Sequence, residues 1–125
     1  MRTLNNLSSF LMSILPDTQY DVCVKTSNFD EFKRVLMICD SFGMKWGDGL
    51  SPFESNSENT YFYYDEYDCY LCFCYEPPLN DFRIYICETR HCDEKDTIFE
   101  SVDEFINMFM SYNSKSTSCE VGNLL

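Results

Sequence analysis

Along residues 19–26 (QYDVCVKT) apolar and polar positions alternate, with Tyr20, Val22 and Val24 on one side and Asp21, Cys23 and Lys25 on the other. A period of two is the repeat of a pleated strand, so this segment predicts a half-buried strand. The repeat then lengthens. Phe29, Phe32, Leu36 and Cys39 recur at helical spacing, flanked by Val35 and Phe42. Ser27 and Asn28 stand before them as N-caps, with Asp30 and Glu31 three residues on, and Gly43 follows as a left-handed cap. These signals predict a helix over 29–42.

Residues 60–67 (TYFYYDEY) predict a second strand, 69–76 (CYLCFCYE) a third and 82–88 (FRIYICE) a fourth. In the third, Leu71, Phe73 and Tyr75 share one face and Tyr70, Cys72 and Cys74 the other; in the fourth, Phe82, Ile84 and Ile86 point inward. Turn residues at 65–68 and at Pro77, Pro78 and Asn80 separate the three, which predicts an antiparallel meander. Ile98 and Phe99 offer one more short strand. Ser101-Val-Asp-Glu104 is a capping box, and Val102, Phe105, Ile106, Phe109 and Met110 continue from it at helical spacing.

At the start of the chain, Leu4, Leu7, Leu11 and Ile14 or Leu15 also keep helical spacing until Pro16. Residues 1–16 thus predict a short helical arm, either packed on the body or held loose to bind something. From 113 to 125 the chain is mostly Ser, Lys, Thr and Asn, which predicts a frayed tail. The order is arm-β-α-β-β-β-α in one domain spanning residues 1–125. The expected class is α+β: one mainly antiparallel sheet of about four strands, with two packed helices and the N-terminal arm.

Charge changes the picture of what such a domain binds. Twenty-one acids against nine bases leave a net charge of −12. Such a surface repels phosphate backbones and anionic membranes, so neither nucleic acid nor membrane is an expected direct partner. A basic protein surface, cations or simple solubility remain. The acids cluster at Glu54 and Glu58, at Asp65, Glu66 and Asp68, at Asp93, Glu94 and Asp96, and at Glu100, Asp103 and Glu104. If these loops share an edge, their field imitates a phosphate backbone, the property of a DNA mimic; the plainer reading is a solvated face. Trp46, in a Gly-rich loop, is either core or a contact residue, since Trp and Tyr dominate binding hot spots. The candidate partner surface is Trp46, Asp48, Glu54, Glu58, Tyr61, Tyr63, Asp65, Glu66, Tyr67 and Asp68. A Tyr-rich strand edge is also suited to pairing with a second copy as a homodimer.

Eight cysteines would suggest disulfides in a secreted chain. The N-terminal apolar residues are broken by Asn5, Asn6, Ser8 and Ser9 and followed by no small-residue cleavage site, and no run is long enough to span a bilayer. The expected setting is therefore a reducing cytoplasm, with the thiols acting mostly as small apolar residues. The alternative is a cysteine-based metal or redox module. Cys69, Cys72, Cys74, Cys87 and Cys92, with His91, are of metal-ligand type, and Cys69-x-x-Cys72 has the spacing of a thiol oxidoreductase. Strand alternation opposes it, because Cys69 and Cys72 should face opposite ways. His91 is the lone histidine, and no phosphate loop, nucleophile elbow or metalloprotease motif is present. No catalytic residue and no cofactor is expected.

One further pattern stands out between Phe29 and Tyr64. A helix leads to Gly43-Met44-Lys45-Trp46-Gly47-Asp48-Gly49, then Pro52, then the aromatic strand Tyr61-Phe62-Tyr63-Tyr64. This resembles a strand-helix-Gly-x-Lys-Trp-x-x-Gly-strand module of small accessory proteins of phages and other mobile elements, and the helix from Ser101 fits the same plan. The resemblance covers about half the chain. It implies a small, non-catalytic protein, made in the cytoplasm of an infected host, that binds and inhibits or modulates a host protein, for instance one of defence or nucleic-acid binding.

Overall fold

The computed structural model describes residues 6–54, 69–87 and 94–124, with side chains through residue 114. The elements are α1 (Asn6–Ile14), β1 (Val22–Thr26), α2 (Phe29–Ser41), β2 (Lys45–Trp46), β3 (Cys69–Glu76), β4 (Asp81–Cys87), β5 (Thr97–Phe99) and α3 (Val102–Leu124). The strands form one sheet in the order β2-β4-β3-β1-β5. The α+β class holds, with five strands among the described residues where about four were expected.

The sheet is mixed. β3 pairs antiparallel with β1 and with β4, whereas β5 runs parallel to β1 and β2 parallel to β4. Among the described strands, β3 is thus the one that runs opposite to the others. The expected β3–β4 hairpin is present, turned by Pro77–Leu79 in a 3₁₀ turn and by Asn80 in the left-handed region at φ 50°. The parallel edges arise from crossovers. α2 carries the chain from β1 past β3 and β4 to β2, and a parallel strand can be reached only by such a long connection. The strand predicted over 60–67 lies outside the described residues.

Local signals set the helix ends. Asn28 caps α2 by accepting the Glu31 amide at 2.9 Å, and the Glu31 carboxylate accepts the Ser27 amide at 2.9 Å. Gly43 follows at φ 73°, a left-handed conformation that favours glycine. Ser101 Oγ accepts the Glu104 amide at 3.1 Å at the start of α3. The backbone of α3 remains helical to Leu124, past residue 113 where polar composition predicts fraying.

One face of the sheet carries the core. Val22, Val24, Leu71, Phe73, Phe82, Ile84 and Phe99 meet Phe32, Val35 and Leu36 of α2 and Val102, Phe105 and Phe109 of α3. Phe105 stacks on Phe73 with ring centres 5.7 Å apart and meets Phe10 and Phe99 edge-on. Met110, expected on the buried stripe of α3, is exposed. The arm is not loose: Leu7, Phe10 and Leu11 are fully buried, and Phe10 also packs on Phe109 and Tyr112. Burial of each such side chain contributes roughly 1.5–3 kcal/mol, which ties α1 into the domain. Ser8 Oγ donates to Asp81 at 2.6 Å, and Asn6 donates to Asn113 at 2.6 Å. No helix among the described residues is long and apolar enough to cross a membrane.

Candidate functional site: a thiol-bearing sheet face and an acidic edge

The second sheet face has different chemistry. Alternation sends Cys23 and Lys25 of β1, Tyr70, Cys72 and Cys74 of β3, and Arg83, Tyr85 and Cys87 of β4 away from the helices. Register arranges them in rows. Tyr85, Cys72, Cys23 and Ile98 lie side by side across four strands, and Cys87, Tyr70 and Lys25 form the next row. Cys23, Cys72 and Tyr70 are buried there as a second small cluster, bordered by Cys74, Cys87 and Ile98.

The thiols touch one another. Cys72 donates to Cys23 across the β1–β3 pair, with the sulfurs 3.1 Å apart. Hydrogen bonds to Cys23 and Cys87, followed by burial, push the Cys72 thiol up, so it stays protonated. Interaction with the Cys72 thiol pulls the half-exposed Cys87 thiol below its ordinary value, against the opposing effect of burial. Cys74 is pushed up by burial and by the neighbouring Asp21 carboxylate. Burial also raises Asp21 above the usual carboxylate range, and the nearby Asp96 adds to this. Tyr85 donates to Glu76 at 2.6 Å, and that bond is the main reason its hydroxyl is raised to about 12.

Cys69 does not join this cluster. It faces the helix side, buried in the main core beside Thr26. The Cys69-x-x-Cys72 pair is therefore split between the two faces, which removes the oxidoreductase geometry. Of the cysteines considered as ligands, Cys72, Cys74 and Cys87 share a face, and Cys92 lies outside the described residues together with His91. Among the described residues, no three His, Cys, Asp or Glu side chains are placed to hold a metal ion. Cys23 is the member the local pattern misses, because adjacency of β1 and β3 is a tertiary property.

The Gly43–Gly49 segment forms β2 and a tight turn. Trp46 donates its amide to Leu50 and its indole to the Pro52 carbonyl at 3.2 Å, and its ring is fully buried. Trp46 is thus core, and its ring is not a contact surface. A side chain at Gly47 would strike the Tyr85 ring, its Cβ lying 2.3 Å from the nearest ring carbon. Arg83 donates to the Trp46 carbonyl at 3.1 Å, binding the turn to β4.

The described members of the acidic clusters, with Asp48, divide between the two sheet edges. Asp48 and Glu54, both exposed, follow β2. Glu94 and Asp96 precede β5, and Glu100, Asp103 and Glu104 follow it at the opposite edge. The described members of these clusters therefore do not share one edge. Asp96 accepts the Asp21 amide at 2.8 Å, and Asp103 pairs with Arg34 at 3.0 Å. Beside this second group a groove of ≈ 580 Å³ runs between α1 and α3, lined by Phe10, Ile14, Glu104, Met108 and Tyr112. Glu58, Tyr61, Tyr63, Asp65, Glu66, Tyr67 and Asp68 of the candidate partner surface lie outside the described residues, as does Asp93.

No family model, curated protein sequence or solved structure matches this chain.

Proposed function

We propose that this chain is a non-catalytic acidic binding protein that engages a basic surface on another protein. The observation that carries this reading is the charge of −12 together with the grouping of exposed Glu94, Glu100, Asp103 and Glu104 around β5 and the first turn of α3. A net negative field of this kind raises association rates with an oppositely charged partner and disfavours phosphate-bearing ones. The adjoining groove supplies an apolar contact. Met108 is 45% exposed beside Glu104, and methionine adapts its shape to a partner. In the setting implied by the phage-like motif, the partner is a host protein of defence or nucleic-acid binding, and the acids occupy the surface that would otherwise meet phosphate.

The test is a nuclease-treated pull-down from host lysate at two ionic strengths, read by mass spectrometry. The expected result is one basic protein at stoichiometric yield at about 0.1 M salt, released at about 0.5 M as screening shortens the reach of exposed charges. An empty pull-down, or a complex indifferent to salt, contradicts it.

A further inference from the structure

We propose that Cys23 and Cys72 are a reversible dithiol–disulfide pair, a modification site at the centre of the sheet that is independent of the partner-binding reading. The two residues are direct register partners on β1 and β3, and their sulfurs already lie 3.1 Å apart. Directly opposite residues in an antiparallel pair have Cα atoms about 4.5–5.5 Å apart, within the range of about 4.4–6.8 Å that a disulfide spans. Cys87 is different. It opposes Tyr70, so it lies diagonal to Cys72. Diagonal neighbours stand about 7–8 Å apart, at the limit beyond which the backbone must move to form a bridge. Cys69, Cys39 and Cys74 have no such register partner among the thiols.

Hydrogen peroxide, close to water in size, is the oxidant class that suits so buried a pair. The Cys23 sulfur accepts the Cys72 S–H and is the nucleophile. After its proton leaves, it attacks one peroxide oxygen. The O–O bond breaks, the departing hydroxide takes up the proton that left Cys23 and becomes water, and Cys23 becomes a sulfenic acid. The Cys72 sulfur then attacks Cys23. The S–S bond forms, the S–O bond breaks, and hydroxide leaves with the Cys72 proton as a second water. Two thiols lose two electrons and one peroxide gains them. A dithiol reductant reverses the step by exchange. The bridge joins residues 23 and 72, so it closes a long loop that holds α2 and β2 and staples the middle of the sheet.

The full chain is treated with peroxide, free thiols are blocked, and disulfides are mapped by mass spectrometry of a non-reduced digest. The expected product is a Cys23–Cys72 bridge that forms about tenfold faster in the folded chain than in urea. It raises Tm by roughly 5–10 °C and is reversed by dithiothreitol. Cys87→Ser retains this bridge, and Cys23→Ala leaves Cys72 unbridged. A bridge mapped mainly to Cys72–Cys87, or thiols that stay reduced in the folded chain while the urea-unfolded chain oxidises, overturns the proposal.

Discussion

Consecutive residues of β3 enter two unlike environments. Leu71 and Phe73 meet the helices, in a layer built from aromatic rings and branched aliphatics. Tyr70, Cys72 and Cys74 face the other way, among thiols, a tyrosine hydroxyl, Arg83 and Lys25. The first face supplies volume and shape, and its loss is a loss of fold. The second is built from small polarizable groups whose contacts are hydrogen bonds and sulfur contacts, so it can change state while the first holds the strands in place. The helix-side core is built mainly of Phe, Leu and Val, with Cys39 and Cys69 as its cysteines among the described residues.

The largest effect expected is on the helix side. Phe73→Ala removes a ring stacked on Phe105 and should cost about 3–5 kcal/mol in urea unfolding. A cost below about 1 kcal/mol would mean that the helical layer does not hold the sheet. Leu11→Ala tests whether α1 belongs to that layer, with about 2–4 kcal/mol expected from its complete burial. A loose arm would show no change in the unfolding midpoint. Cys72→Ala, one residue from Phe73 but on the thiol face, deletes a single sulfur and should cost only about 1 kcal/mol. Equal losses at 72 and 73 would erase the distinction between the faces.

The smallest effect is electrostatic. Burial and Asp96 hold the Asp21 carboxyl above its ordinary range in the folded chain, so the folded state binds that proton more tightly than the unfolded state. The stability this contributes is present at low pH and is lost as pH rises through the raised value. Asp21→Asn should therefore stabilise the protein at neutral pH. Because the group is half-exposed, solvent screening holds the gain to about 0.5 kcal/mol. The gap to wild type should close as pH falls below the carboxylate range. A gap that widens on acidification would reverse the assigned sign, and Tm measured across pH decides it.

Much of this fold is legible in local pattern. β1, β3 and β4 follow from alternation, and α2 and α3 from spacing plus caps at Asn28 and Ser101, because these signals depend on neighbours in sequence. β2 is two residues long, too short for any period, and exists because Trp46 buries its ring and Lys45 and Trp46 pair with β4. The parallel placement of β5 beside β1 and the docking of α1 on Phe105 and Phe109 depend on contacts far apart in the chain. At the site, the sequence separates Cys69 from Cys72 by face, yet Cys23 enters only once strand order is known. The described cluster acids had to be placed in space before their division between two edges could be seen.

Charge neutralisation without loss of fold decides whether the acidic group around β5 and α3 is the binding surface. A Glu94→Gln, Glu100→Gln, Glu104→Gln variant removes three exposed charges and leaves the Asp103–Arg34 pair intact. The expected result is a Tm within about 2 °C of wild type and at least about a tenfold loss of affinity for the captured basic partner at low salt. Undiminished affinity in a correctly folded variant would contradict it.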